Sequence, residues 1–277
     1  MTTTVAPFDV YGKTDQLDTP ILETMVTRLE ARGGQAEFQQ MMGDFLEAMQ
    51  IDQAQSVLDL GCGTGVAART IAARPNFTGK ITAVDLSDHL MASARQLAAR
   101  EGVADQIDFR VGDSRSLDLP DDSFDAVVAH TLVSHVDQLA VTLHEIARVV
   151  RPGGFVGIFD GDYASLTFSH PDAQQGQRYD ELIISAVITQ PRAMRRMPHL
   201  LAAAGLDLIT HFAYVVTDVG RADYWTPALE SLCKILPAAG AMSVTEAGAW
   251  VDARFEESTR NSFFGSSNYY GYVARKA

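Results

Sequence analysis

The run Val57-Leu58-Asp59-Leu60-Gly61-Cys62-Gly63-Thr64-Gly65 constrains this chain more than any other stretch of its 277 residues. An apolar strand runs into an acid and then into glycines at alternate positions, and Val66 to Arg74 follows as a helix-compatible stretch. Glycine reaches positive φ without a steric penalty and lets backbone approach a ligand closely. Free N–H groups are predicted at the start of the next helix, where the dipole favours a carboxylate or phosphate. A dinucleotide fingerprint spaces its glycines G-x-G-x-x-G/A and lays a pyrophosphate over that helix. Here the spacing is Gly61-x-Gly63-x-Gly65, with Asp59 inside the strand before it. A carboxylate at that point repels a pyrophosphate and suits an ammonium or a sulfonium.

The following segments agree with a nucleotide fold. Lys80 to Asp85 is β-branched and apolar and ends in an acid. Asp85 lies about 20 residues past the glycines, where such folds place the carboxylate that takes ribose hydroxyls. Leu86 and Met91 offer apolar surface to a purine, and Ser87 is predicted to cap a helix over Asp88 to Arg100. A third strand, Ile107 to Val111, leads to Gly112-Asp113-Ser114, where a short acid can accept from an adenine amine. The fourth strand, Phe124 to His130, is followed by a helix from Gln138 to Val150. Arg151-Pro152-Gly153-Gly154 then turns the chain into a fifth strand, Phe155 to Asp160.

From Ser56 to Asp160 the chain resembles class I S-adenosylmethionine-dependent methyltransferases, motif by motif: VLDLGCGTG, AVDLSDHLM, VGDSRSLDLPDDSFDAVVAH and ARVVRPGGF. The likeness is to the small-molecule branch that includes the quinone-biosynthesis C-methyltransferases (methyltransferase type 11-like). It implies an α/β fold, a doubly wound and mostly parallel seven-stranded Rossmann-like sheet, with S-adenosylmethionine as cofactor. It implies that Asp59 lies near the methionine moiety, that Asp85 holds the ribose, and that Asp113 with Ser114 meets the adenine. Gly61, Cys62, Gly63 and Gly65 form the turn, and Leu86, Met91 and His130 complete the cofactor set. The last strand, Ser262 to Arg275, is implied to insert antiparallel beside the sixth.

The chain reads as one methyltransferase domain over residues 1–277. Residues 1–50 form an N-terminal helical cap, in which Thr19-Pro20 opens one helix and Gly33-Gly34 ends it before a second from Gln35 to Gln50. Residues 51–160 are the cofactor-binding core. Residues 161–205 are a lid insertion with helices over Asp172 to Thr189 and Arg192 to Ala204, and residues 206–277 complete the sheet. Among the helices of that last part, Ser243-x-x-Glu246 is a capping box.

A formal charge of −13 disfavours nucleic acid as a partner, because phosphate binding needs clustered Lys and Arg. The basic run Arg192, Arg195, Arg196 is expected to be a solvated helix face. Two cysteines make no disulfide framework, and Cys62 is expected to be small filler in the turn rather than a reactive thiol. Met1 to Pro7 lacks the pattern of a signal peptide, and no apolar run is long enough to span a bilayer, so a cytoplasmic protein is expected. A small-molecule acceptor is the expected partner, and the sequence leaves a monomer and a homodimer both open.

Two residues are candidates for chemistry. His130 ends the fourth strand, where it could take a proton from a nucleophile or only shape the pocket. Tyr163 could stack on or hydrogen-bond the acceptor. His135 and His170 join Tyr163 as candidate substrate contacts, and Tyr11 could fold over the cofactor. Asp160 and Asp162 suggest the Mg²⁺ site of catechol-type O-methyltransferases, but the further Asp-Asn pair of such sites is missing, so no metal is expected. An S-adenosylmethionine-binding protein or enzyme of the same fold that transfers no methyl group is the alternative function.

Overall fold

The computed structural model describes residues 9–277; Met1 to Pro7, on which the signal-peptide expectation rests, lie outside them. Along the chain run α1 (Thr19–Gly33), α2 (Ala36–Ala48), β1 (Ser56–Leu60), α3 (Val66–Ala72), β2 (Lys80–Asp85), α4 (Asp88–Arg100), β3 (Ile107–Val111) and β4 (Phe124–His130). They are followed by α5 (Leu139–Val149), β5 (Val150–Phe168), α6 (Ala173–Val187), α7 (Ala193–Ala203), β6 (Leu206–Gly220), α8 (Thr226–Ala238), α9 (Val244–Thr259) and β7 (Phe263–Lys276). The strands form one seven-stranded sheet in the order β3-β2-β1-β4-β5-β7-β6. Its first five members are parallel, and β7 runs antiparallel between β5 and β6. The order reverses between β1 and β4, which is where open α/β sheets leave a crevice at the carboxyl ends of the strands.

Local signals set several boundaries as the sequence predicts. Ser87 Oγ accepts from the Leu90 N–H at 3.3 Å, and Ser243 with Glu246 forms the full capping box of α9. The two sheet faces carry separate cores. On one, Phe45, Met42 and Leu46 of α2 pack with Ile71 of α3 and Ala94 of α4. On the other, Leu143 and Ile146 of α5 pack with Met194, Met197 and Leu201 of α7.

Three expected elements differ. The Met and Phe stripe of α2 lies flat on the sheet beside β5 and β7, where Gly157 and Gly271 leave room for the Phe45 ring; α2 is a layer helix rather than a cap. The fifth strand does not stop at Asp160 but runs on to Phe168, pairing Thr167 with Ser266 and Phe168 with Gly265 of β7. Of the expected lid, α7 belongs to the core of the sheet, and only α6 stands over the crevice. It joins α8 and α9 in a third cluster around Phe168, Trp225, Trp250 and Phe263. Among the described residues no helix is long and apolar enough to cross a membrane.

Candidate functional site

Gly61, Gly63 and Gly65 have φ of +69°, +55° and +78°, which side chains rarely adopt. Four N–H groups of the turn itself are taken up by neighbouring groups. Gly61 and Cys62 donate to the Val84 carbonyl at 2.8 and 3.0 Å, and Gly65 donates to that of Cys62 at 2.7 Å. Gly63 donates to Asp85 Oδ2 at 2.9 Å. The turn therefore meets a ligand with these four N–H groups already engaged and with the Asp59 and Asp85 carboxylates beside it.

Asp59 Oδ2 accepts from the Ala68 N–H at 2.9 Å, which ties β1 to α3. Its Oδ1 is buried and has no partner among the described residues. Burial pushes its carboxyl up to about 7; the Asp85 charge adds to this and the Ala68 N–H opposes it. Asp85, at the end of β2, also accepts from Ser87 N–H at 3.1 Å and from Thr14 Oγ1 at 3.4 Å. Burial raises this carboxyl too.

Two adjoining cavities open along this edge. The first is lined by Asp59, Gly61, Cys62, Gly63, His130 and Tyr163, and extends to Phe168 and Trp225. The second is lined by Leu86, Asp113 and Ser114. Asp85, Gly61 and His135 line both, as do Tyr11 and Thr14. Most of the residues expected to hold the cofactor thus face one continuous trough. Met91 does not: its turn of α4 points inward, leaving it fully buried beneath the glycine turn with its sulfur 3.9 Å from Cys62 Sγ. Burial pushes the Cys62 thiol well above its usual range, in keeping with filler. Asp113 is gripped by Arg115, whose guanidinium donates to both carboxylate oxygens and holds the carboxyl below its usual range. Ser114 Oγ pairs with Thr142 Oγ1 at 3.3 Å.

His130 stacks on Phe159 with ring centroids 4.6 Å apart and meets the edge of Phe38 at 5.0 Å. Burial, with Arg32 nearby, drives its pKa down to about 3, and its Nε2 is buried without a partner among the described residues. Tyr163 lies on β5, not on a lid helix, and burial raises its hydroxyl well above the usual range. His135 donates from Nδ1 to the buried Asp9 carboxylate at 2.9 Å. His170 lies away from both cavities: the extension of β5 carries it to the start of α6, where its Nδ1 sits 2.9 Å from the Asp172 carbonyl. Asp160 accepts from the Ser134 and Gly161 N–H groups at 2.9 and 2.7 Å. Asp162 is bound by Arg195 at 2.8 Å, so part of the expected solvated basic face is an ion pair to β5.

Residues that sequence reading missed close the site from the N-terminal side. Asp9 is 2% exposed and accepts from Tyr11 N–H at 3.1 Å, from Thr189 N–H at 3.0 Å and from Thr189 Oγ1 at 2.8 Å. It thereby fastens residues 9–16 across the junction of the two cavities. Arg28 and Arg32 of α1, with Tyr224 and Tyr269, line the first cavity. Only Tyr11 carried a sequence signal, as a residue able to fold over the cofactor.

The donor set suits S-adenosylmethionine. The unpartnered Asp59 oxygen matches a cationic amino-acid end, and Asp85 stands between the two cavities as a ribose carboxylate must. Residues 57–154 match the family described as methyltransferase domain. A sterol 24-C-methyltransferase of Gibberella zeae is 31% identical over 178 residues, which is 64% of this chain and 46% of that protein. The chain thus spans about half the length of that curated relative. Among solved structures, the [4+2]-cyclase SpnF aligns with a TM-score of 0.64 at 21% identity, over 98% of both chains. A putative methyltransferase from Bacillus halodurans aligns at 0.61 and 18% identity, over 85% of this chain and 98% of that one. Residues 57–154 match a methyltransferase domain, and the chain builds around them a seven-stranded α/β fold shared with these solved structures.

Proposed function

We propose that the protein is an S-adenosylmethionine-dependent methyltransferase acting on a small lipophilic or aromatic metabolite. The observation that carries this reading is the buried, unpartnered Oδ1 of Asp59 beside the glycine turn, in line with Asp85 and the second cavity. Asp59 would meet the positive amino-acid end of the cofactor, Asp85 the ribose, and the Leu86, Asp113 and Ser114 cavity the adenine. Once bound, the cofactor supplies an electrophilic methyl group on a sulfonium.

The chain's own part is to bind, orient and exclude water. Residues 9–16 cover the junction, and α6 with α8 walls the far end with apolar side chains. Holding two reactants aligned supplies on the order of 7–11 kcal/mol in favourable intramolecular models. His130, neutral and with a pKa near 3, is a weak base. Its Nε2 is suited to accept a hydrogen bond from the acceptor and so to orient it. Tyr163 stays protonated and can donate one. The net charge of −13 disfavours a nucleic-acid acceptor, and the apolar far wall suits a quinone-like ring or a lipid better than a sugar.

Calorimetry with S-adenosylmethionine and S-adenosylhomocysteine tests the site, and a mass-spectrometric screen of cofactor-loaded protein against cell extract tests the reaction. The expected results are binding of both and a metabolite that gains one methyl group. No heat with either compound on folded protein would end this reading. A second reading is an enzyme of this frame that transfers no methyl group. A solved structure aligned over 98% of both chains is a [4+2]-cyclase, so product turnover without S-adenosylhomocysteine would favour it.

A further inference from the structure

Among the described residues Arg32 is a cation without a counter-charge. It sits near the end of α1, lines the first cavity and donates from Nη2 to Thr131 Oγ1 at 2.9 Å. Its guanidinium carbon lies 4.9 Å from the centre of the Phe38 ring. Its Nε is buried without a partner, and no carboxylate lies within 4.0 Å of it among the described residues. Residues 1–8 contain no acid that could serve. Tyr163, Tyr269, Tyr11 and Tyr224 line the same cavity around it. Arg28, one turn earlier, lines the same cavity, stands 5.5 Å from the Tyr11 ring centre and likewise has no carboxylate partner among the described residues.

A cation in an apolar wall is costly unless an opposite charge or full hydrogen bonding accompanies it. The carboxylates of this wall, Asp59 and Asp85, are held by backbone donors on the glycine-turn side. Beyond Arg32 the wall is apolar, through Leu166, Phe168, Ile183, Trp225 and Leu232. A planar guanidinium with spare donors is built to take a carboxylate- or phosphate-like group in paired hydrogen bonds.

We infer that Arg32, supported by Arg28, is an anion-recognition residue of the acceptor site. The acceptor is then an amphiphile whose anionic oxygen pairs with Arg32 while its apolar body fills the lobe between β5, α6 and α8. This rests on the methyltransferase reading, and it narrows the acceptor to anionic lipophilic molecules. The same chemistry has a second source, the carboxylate of the cofactor's own amino-acid end, and the test separates the two.

Full-length protein loaded with S-adenosylhomocysteine is titrated with decanoate and with decanol, in wild type, Arg32→Gln and Arg32→Lys. Decanoate is expected to bind about tenfold more tightly than decanol, as a charge-assisted hydrogen bond allows. Arg32→Gln erases that preference and leaves S-adenosylhomocysteine affinity within about twofold. Arg32→Lys, which keeps the charge but not the fork, retains part of it and gives the readout should the Gln variant not fold. Equal binding of the two probes, binding of neither, or a preference that survives both substitutions overturns the inference. So does a loss of about tenfold or more in S-adenosylhomocysteine affinity on Arg32→Gln, which assigns the guanidinium to the cofactor. If wild type takes up no S-adenosylhomocysteine, the methyltransferase reading fails, and the same two titrations on free protein decide the anion site alone.

Discussion

Asp59 concentrates the electrostatic tension of the site. Its folded pKa of about 7 lies above its ordinary value of 3.8, so the folded chain holds a proton there that the unfolded chain releases. The linkage sign follows: stability falls as pH rises from about 4 towards 7 and does not recover above it. Asp59→Asn removes the penalty and raises the stability of the free protein at pH 8, by at most about 4 kcal/mol from the size of the shift. Denaturant unfolding at pH 5 and pH 8 checks this, with the larger gain expected at the higher pH. A bound cation reverses the preference, since it favours the charged carboxylate. Wild-type affinity for S-adenosylmethionine therefore rises by up to about tenfold between pH 6 and pH 7, with proton release visible when calorimetry is repeated in buffers of different ionisation heat. Asp59→Asn flattens that profile and weakens binding. His130 yields a complementary expectation. If it orients rather than deprotonates, His130→Gln keeps turnover within about tenfold of wild type, and the pH–rate profile does not move.

At the scale of the element, the cover made by residues 9–16 hangs on one buried pair. Asp9 sits below its ordinary pKa: burial alone would raise it, but the facing His135 and the Thr189 donors outweigh that. His135 sits above its own for the matching reason, with Asp9 outweighing burial. Asp9 contributes stability above 3.8 and loses it as pH falls through its depressed value. His135 contributes below 6.5 and loses it as pH rises through its raised value. The fastening is therefore complete between roughly pH 4 and 6.5 and weakens towards alkaline pH. Hydrogen exchange at the Tyr11 and Gly12 amides, corrected for intrinsic rate, is expected to speed up above the His135 transition. Asp9→Ala leaves His135 buried alone, which costs about 3 kcal/mol or more, and should accelerate cofactor release. A different element tests the sheet: Gly157→Val would drive a side chain into Met49 and Phe45 of α2. Such overpacking costs about 1–3 kcal/mol, readable as a lower denaturant midpoint with unchanged slope.

Across the whole molecule, what was legible in the sequence was what neighbours along the chain decide. β1 to β3 and their turns are short apolar runs ending in Gly, Asp or Ser, so Asp59, Asp85 and Asp113 could be placed in order along one edge. What was not legible depends on partners far away in sequence. The extension of β5 to Phe168 exists because β7 pairs with it, and that extension put Tyr163 in the trough and His170 outside it. Met91 was misplaced because a helix position next to a ligand strand does not fix the direction of its side chain. Arg32 on an amphipathic helix looks like any solvated arginine until the aromatic wall around it is seen. The trough lies between the parallel core and the α6, α8 and α9 cluster, two bodies with separate apolar centres joined through β5 and β7. A ligand lying in it is held by both, so it should stabilise the molecule as one cooperative unit. S-adenosylhomocysteine at 100 times its Kd adds about 2.7 kcal/mol. For a chain of this size each kcal/mol is about 2–4 °C, so Tm is expected to rise by about 5–10 °C. Asp85→Ala should show almost none of that shift, because it removes the carboxylate that both cavities share. Reduced nicotinamide dinucleotide, whose pyrophosphate would face Asp59, should leave Tm where it was; a shift of the same size with it would mean that the turn reads a dinucleotide after all.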